Sequence, residues 1–176
     1  MGASIAIAIL TVSDTRTIHD DKSGAKLAEL IVRDGHQVIE RQIIPDDQHL
    51  IQETLLKWLS SKRIDVIIAT GGTGLTGRDV TPEAFRAVYE KEIDGFGEMF
   101  RWLSYQKIGT SALQSRATGG VAQGKYLFAL PGSPSACQDA WEFILKHQLN
   151  DQCRPCNLVQ LMPRLQEDKL RPSPKK

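Results

Sequence analysis

The chain has 176 residues, with 22 basic and 21 acidic side chains and a formal charge of +1, so no strong field of either sign recommends nucleic acid or an anionic membrane as partner. At 41% hydrophobic and 24% charged residues the composition is that of an ordinary soluble domain, and a chain this long buries about two thirds of its unfolded surface without staples. No apolar run approaches the roughly 20 residues that span a bilayer, and the opening Met-Gly-Ala-Ser-Ile-Ala has neither a basic n-region nor the hydroxyl of a myristoylation signal. The three cysteines (Cys137, Cys153, Cys156) are too few for a disulfide framework. A single cytoplasmic domain with free thiols is expected.

In chain order, residues 4–12 (SIAIAILTV) read as a buried strand. Leu27, Leu30 and Ile31 then share one face of a helix over 23–34, and Gly35 stands where a left-handed C-terminal cap is wanted. A second strand is expected over 38–44. Ile51, Leu55, Trp58 and Leu59 mark another helix, and 64–70 (IDVIIAT) a third strand. Thr81-Pro82-Glu83 is a helix start in which threonine caps, proline takes the first helical position and the acid meets the positive helix end. Phe85, Val88 and Tyr89 form that helix's apolar face. A helix over 96–105 follows, then an unassigned stretch rich in Gly and Ser, then a strand over 125–130. Ser133-Pro134 opens the last helix, with Cys137, Ala140, Trp141, Ile144 and Leu145 on its buried side. Such alternation predicts a three-layer α/β domain over 1–163, a mostly parallel sheet with helices on both faces, and a polar, mobile tail over 164–176.

In such a sheet the loops that follow strands open on one edge, where ligands bind. They read Thr11-Val12-Ser13-Asp14, Ile44-Pro45-Asp46-Asp47, Gly71-Gly72-Thr73-Gly74 and Leu130-Pro131-Gly132-Ser133-Pro134. Glycines let backbone N–H groups approach an anion, and a following helix adds the positive end of its dipole, so this edge suits a phosphate-bearing ligand. Carboxylates beside phosphate call for a bridging cation, Mg2+ above all. Taken singly, each loop is explained as well by ordinary turn chemistry, with Asp14 or Asp47 as cap or turn former. Their convergence on one edge is what argues for function.

The segment 72–79 contains two decoys. It matches G-x-G-x-x-G, but after a third strand rather than the first, and it nearly matches a P-loop, with Arg78 and Asp79 where Lys and Ser or Thr belong. In altered form, Arg78 would neutralise phosphate and Asp79 hold metal; alternatively the two form an exposed salt bridge. Cys153-Arg154-Pro155-Cys156 has redox spacing but lies after the last strand–helix unit, and one such motif cannot close a zinc site. His19, His36, His49 and His147 lack ligand spacing, and Cys137 reads as an inert core thiol. Ser115-Arg116, before a turn at 117–120, is a possible anion contact. Glu92, Asp94 and Glu98 read as helix surface.

The loops, in this order, resemble those of the MogA/MoaB family of molybdopterin adenylyltransferases and the related gephyrin G domains. The matching pieces are T-V-S-D at 11–14, I-P-D-D at 44–47, T-G-G-T-G at 70–74, R-D-V-T-P at 78–82, D-G-F-G-E at 94–98 and L-P-G-S-P at 130–134. The resemblance covers residues 4–149, and G-T-S-A-L-Q-S-R-A (109–117) and R-P-C-N (154–157) resemble the MoaB branch. It implies transfer of AMP from Mg-ATP to the terminal phosphate of molybdopterin, with release of pyrophosphate. On that resemblance Asp46 and Asp79 are the functional acids and hold Mg2+. Gly71, Gly72, Thr73 and Gly74 hold the nucleotide with Arg78, and Ser13, Asp14, Ser115, Pro131, Gly132 and Ser133 line the pterin and phosphate region. Ser133 stands where the family often has asparagine. Some members of the MoaB branch are held to have lost adenylylation together with the I-P-D acid, which this chain keeps. The resemblance also implies a homotrimer or hexamer, acting with other molybdenum cofactor biosynthesis proteins. Two alternatives are a non-catalytic molybdopterin carrier and a pyrophosphatase similar to the CinA-type domain.

Overall fold

Strands β1 (Ala6–Val12) and β3 (Val66–Thr70) are apolar but for Thr11 and Thr70 because both of their faces are covered. The structure is a computed structural model that describes residues 2–170. Its sheet has six strands in the order β2-β1-β3-β6-β5-β4, with β2 (Gln37–Ile44), β4 (Lys91–Glu92), β5 (Thr118–Ala122) and β6 (Lys125–Leu130) completing it. The pairs β1/β2, β1/β3 and β3/β6 are parallel; β5/β6 and β4/β5 are antiparallel. One face packs helices α1 (Lys22–Arg33), α4 (Asp94–Ile108) and α5 (Pro134–Ala140) around Leu27, Phe100 and Trp141. The other packs α2 (Gln48–Leu59) and α3 (Thr81–Val88) around Leu55, Trp58 and Phe85. The expected three layers and mostly parallel sheet are therefore present.

The helix signals act as expected in most places. Asp21 caps α1 and Asp47 caps α2, each carboxylate accepting a backbone N–H three residues on. Gly35 takes φ +87° just after α1, and Ser133 caps α5 through the Ala136 N–H. Cys137, Ala140, Trp141, Ile144 and Leu145 are all buried. The chain runs from α5 through a wider turn, Trp141–Leu145, into α6 (Lys146–Gln148).

Two expectations for the middle of the chain fail. Thr81 does not cap α3: Val80 holds the cap position without a side-chain bond, and Thr81 is the first helical residue, fully buried. The unassigned Gly and Ser stretch is not loop throughout, nor is 117–120 a turn. After a 3-10 turn (Gly109–Gln114) it forms β5, which pairs with β6 across a tight turn at Gln123 and Gly124, both with positive φ. Glycine weakens a strand signal, yet here it is required. A side chain on Gly119 would come within 2.8 Å of the Phe128 ring, and one on Gly120 would strike Tyr89.

Residues 164–170, expected to begin the polar tail, contain Leu165 packed on the core and helix α8 (Glu167–Leu170), after α7 (Leu158–Leu161). Lys169 pairs with Glu90. Residues 171–176 lie outside those described. Among the described residues no helix is long and apolar enough to cross a membrane.

At the opposite edge of the sheet from the strand-following loops, His36 is buried against Trp141, and its Nδ1 accepts the Ile5 N–H at 3.2 Å. Burial lowers its pKa, partly offset by the Asp34 charge. The fold thus favours neutral imidazole. Its contribution is complete above the unfolded pKa near 6.5 and is lost as the pH falls below it, because the unfolded chain then binds more protons. Urea denaturation at pH 5 to 8 should show stability falling on the acid side, with a smaller fall in His36→Gln.

Candidate anion-binding site

The C-terminal ends of β1, β2, β3 and β6 bring the four loops together. Ser13 N–H donates to the Ile44 carbonyl and Gly71 N–H to that of Leu130, at 2.9 and 3.0 Å. Gly71 has φ +102°, and a side chain there would collide with the Val12 carbonyl; Gly72 has φ +64°. Only glycine lets this loop turn back so tightly against β1.

Asp14 clamps the loops. Its Oδ1 accepts the Asp46 N–H at 3.0 Å, and its Oδ2 accepts Arg78 Nη2 at 2.6 Å and Nε at 3.1 Å. Arg78 hydrogen-bonding holds Asp14 below the ordinary carboxylate range. The Arg78–Asp79 pair considered from sequence is absent, since Arg78 reaches across to Asp14 instead.

Asp46 and Asp79 stand beside the same glycine loop in opposite electrostatic settings. Burial raises the pKa of Asp46, and the neighbouring charges of Asp79 and Asp14 raise it further, against the Val80 N–H and Arg78, which lower it. Asp46 Oδ1 is buried with no partner, directly beside Gly72. At Asp79, partial burial opposes ionisation but is outweighed by hydrogen bonds from Thr76 and Gly74 and by the Arg116 charge, so its pKa is lowered. Its Oδ2 accepts Thr76 N–H at 2.9 Å and Thr76 Oγ1 at 2.5 Å. Carboxyls pushed apart in this way divide into one that readily holds a proton or a cation and one that stays charged.

A cleft of about 470 Å3 is lined by Gly71, Gly72, Thr73, Gly74, Asp79, Ser115, Pro131, Gly132 and Ser133, and closed by Phe100, Ser104, Ile108, Ser111 and Gln114 on α4 and the turn after it. Ser13 and Asp14 line a second cleft with Arg16 and Arg41. Asp46 and Arg78 link the two, through Gly72 on one side and Asp14 on the other. Phe100, Ser104 and Ile108 on the α4 wall lie outside any motif and show only the helical period of a packed face, whereas Ser111 and Gln114 fall within the 109–117 piece without having been singled out. The sequence reading also missed Thr76, a serviceable i to i+3 partner for Asp79.

Arg116 is not a free anion contact. Its Nε donates to the Gly74 carbonyl and its Nη2 to that of Asp79, both at 2.7 Å, while Nη1 pairs with Glu83. It braces the glycine loop from behind. Arg116→Ala should lower stability by about 2 kcal/mol, since charged donors to partly buried carbonyls are lost, and urea denaturation will measure this. Glu92 accepts from Arg86 and Thr118 and, with Asp94 and Glu98, lines a smaller cleft beside α4. Cys137 is inert as expected, its thiol pushed up to about 12 by burial. Cys153 and Cys156 are free thiols, and the described residues contain no cluster of three or more His, Cys, Asp or Glu suited to a metal.

A mostly parallel sheet that sets a glycine loop beside two carboxylates, at the edge where such sheets take their ligands, defines an α/β domain with a candidate anion site. Residues 8–151 match the family model described as "Probable molybdopterin binding domain". The chain is 46% identical over 151 residues to molybdenum cofactor biosynthesis protein B of Escherichia coli (strain K12), covering 86% of this chain and 89% of that one. A crystal structure of a molybdenum cofactor biosynthesis protein B superposes with a TM-score of 0.86 at 39% identity, over 95% of this chain and 99% of that one. The tungsten cofactor synthesizing protein MoaB from Pyrococcus furiosus gives 0.74 at 33% identity, over 82% and 92%. The chain belongs to the MoaB/MogA family of molybdenum cofactor biosynthesis proteins.

Proposed function

We propose that the protein acts in molybdenum cofactor biosynthesis by transferring the adenylyl group of Mg-ATP to the terminal phosphate of molybdopterin. A terminal phosphate oxygen attacks the α-phosphorus of ATP, the bond to the bridging oxygen of the β-phosphate breaks, and pyrophosphate leaves with that electron pair. No protein nucleophile is required, so positioning and charge neutralisation carry the catalysis. The observation that supports this most is the pair of carboxyls beside one glycine loop, one with an unpartnered buried oxygen and the other held ionised.

That donor set fits Mg2+, which is commonly held by one or two carboxylates plus substrate phosphates. When bound, the ion would neutralise triphosphate charge; Asp46 and Asp79 would hold it. The backbone of Gly71, Gly72, Thr73 and Gly74 would bind the nucleotide phosphates. Ser13, Asp14, Ser115 and the Pro131-Gly132-Ser133 turn would orient the pterin and its phosphate. Arg78 would serve the phosphates once released from Asp14.

The test is incubation of the purified protein with ATP, Mg2+ and molybdopterin, following AMP transfer. No product from intact substrate would refute the reading. The Arg78–Asp14 pair favours a second one, a molybdopterin carrier, because it occupies the cation that the nucleotide phosphates would need. A carrier binds molybdopterin and ignores ATP. Profiling with ATP, ADP-ribose and pterin separates both from a dinucleotide pyrophosphatase. A homotrimer or hexamer is part of the proposal; Trp102, Tyr105 and Ile108 on α4 are more than half exposed, as a subunit interface would require. Sedimentation equilibrium tests it.

A further inference from the structure

We infer that Thr81 is a positioning residue of this site, its hydroxyl orienting the Asp46 carboxylate toward the divalent cation of the nucleotide; this rests on the adenylyltransferase reading above. Thr81 is fully buried at the start of α3, and its N–H donates to the Gly72 carbonyl at 3.0 Å. Its hydroxyl is buried without a partner. Asp46 Oδ1 is likewise buried without a partner. Five side-chain atoms among the described residues are in that condition, and these two meet at one spot, since a side chain on Gly72 would strike both.

Helix capping does not explain the hydroxyl, because Val80 occupies the cap and no side chain bonds there. Packing does not explain it either, as valine has the same shape and avoids the cost of burying an unpaired polar group. The two atoms are not bonded to each other in this structure, but a hydroxyl this near a carboxylate oxygen can turn and donate to it. Such a bond fixes the plane of the carboxylate while leaving it lone pairs to offer a cation. Gly72, with φ +64° and no side chain, keeps the space between the two open. Partners that orient a metal ligand in this way carry about 10- to 100-fold in metal affinity.

The experiment is a titration of Mn2+ and ATP into the full chain, followed by the EPR signal of free Mn2+. Thr81→Val should weaken Mn-ATP binding about 10-fold while melting at or above the wild-type temperature, and Thr81→Ser should restore the affinity. Unchanged binding in Thr81→Val overturns the inference, as does a Thr81→Ser variant as weak as Thr81→Val. If wild-type protein does not bind Mn-ATP, the adenylyltransferase reading and this inference fall together. If it binds and Thr81→Val leaves binding unchanged, only the inference falls.

Discussion

Asp79→Asn is expected to reduce Mg-ATP affinity and AMP transfer by about 10²-fold or more, the scale of losing one preorganised charge at a reacting phosphate. The Thr76 contacts to Asp79 and its place beside Gly74 belong to the loop itself, so the fold should survive and melting should change little. Asp46→Asn makes a sharper contrast. Burial, with the charges of Asp79 and Asp14, raises the pKa of Asp46, so folding favours its protonated form more than the unfolded chain does, and that stabilisation is lost as the pH rises through the folded pKa. At neutral pH an ionised Asp46 with an unpartnered oxygen is therefore a liability to the fold. Replacing it with a neutral amide should raise the melting temperature while abolishing Mg-ATP binding, the signature of a residue kept for function. Calorimetric titration of Mg-ATP, paired with thermal denaturation of both variants, measures this. Binding that survives in Asp79→Asn would remove the cation from the proposed site.

Gly71→Ala should be the most damaging single change in the glycine loop. The φ of +102° is strained for any side chain, and the new methyl would meet the Val12 carbonyl, which belongs to an interior strand paired on both sides and cannot move aside alone. Positive-φ strain and overpacking each cost about 1 to 3 kcal/mol, so a loss of about 3 kcal/mol or more is expected by urea denaturation. Gly77→Ala provides the control, because nothing lies near its missing side chain. Equal stability of the two variants would mean that the loop is not held against β1 as described.

Much of the fold could be read from local pattern. The strands over 4–12 and 64–70 and the helix around Trp58 follow from runs and periods a few residues long; the strands agree with β1 and β3 within two residues at each end, and Ile51, Leu55, Trp58 and Leu59 all fall on the buried side of α2. The hairpin edge could not be read in this way. β4 has two residues, and β5 owes its glycines to aromatic rings contributed by Phe128 and Tyr89, so its sequence carries a turn signature while its environment imposes a strand. Thr81 misled for a related reason: its threonine-proline pair is a sound capping signal, but the chain enters α3 one residue earlier.

Apart from the β4–β5 edge, the succession of strands and helices along the chain, the edge on which the loops emerge and the residues those loops carry were determined by the sequence alone, because periodicity and turn chemistry act between near neighbours. Which of those residues touch was decided only by the tertiary structure. Asp14 meets Asp46 across 32 positions and Arg78 across 64, while Arg116 reaches back 42 to Gly74. No local period encodes such separations. They arise when parallel strands set distant loops side by side, and only there do charge, burial and the space over Gly72 acquire their values.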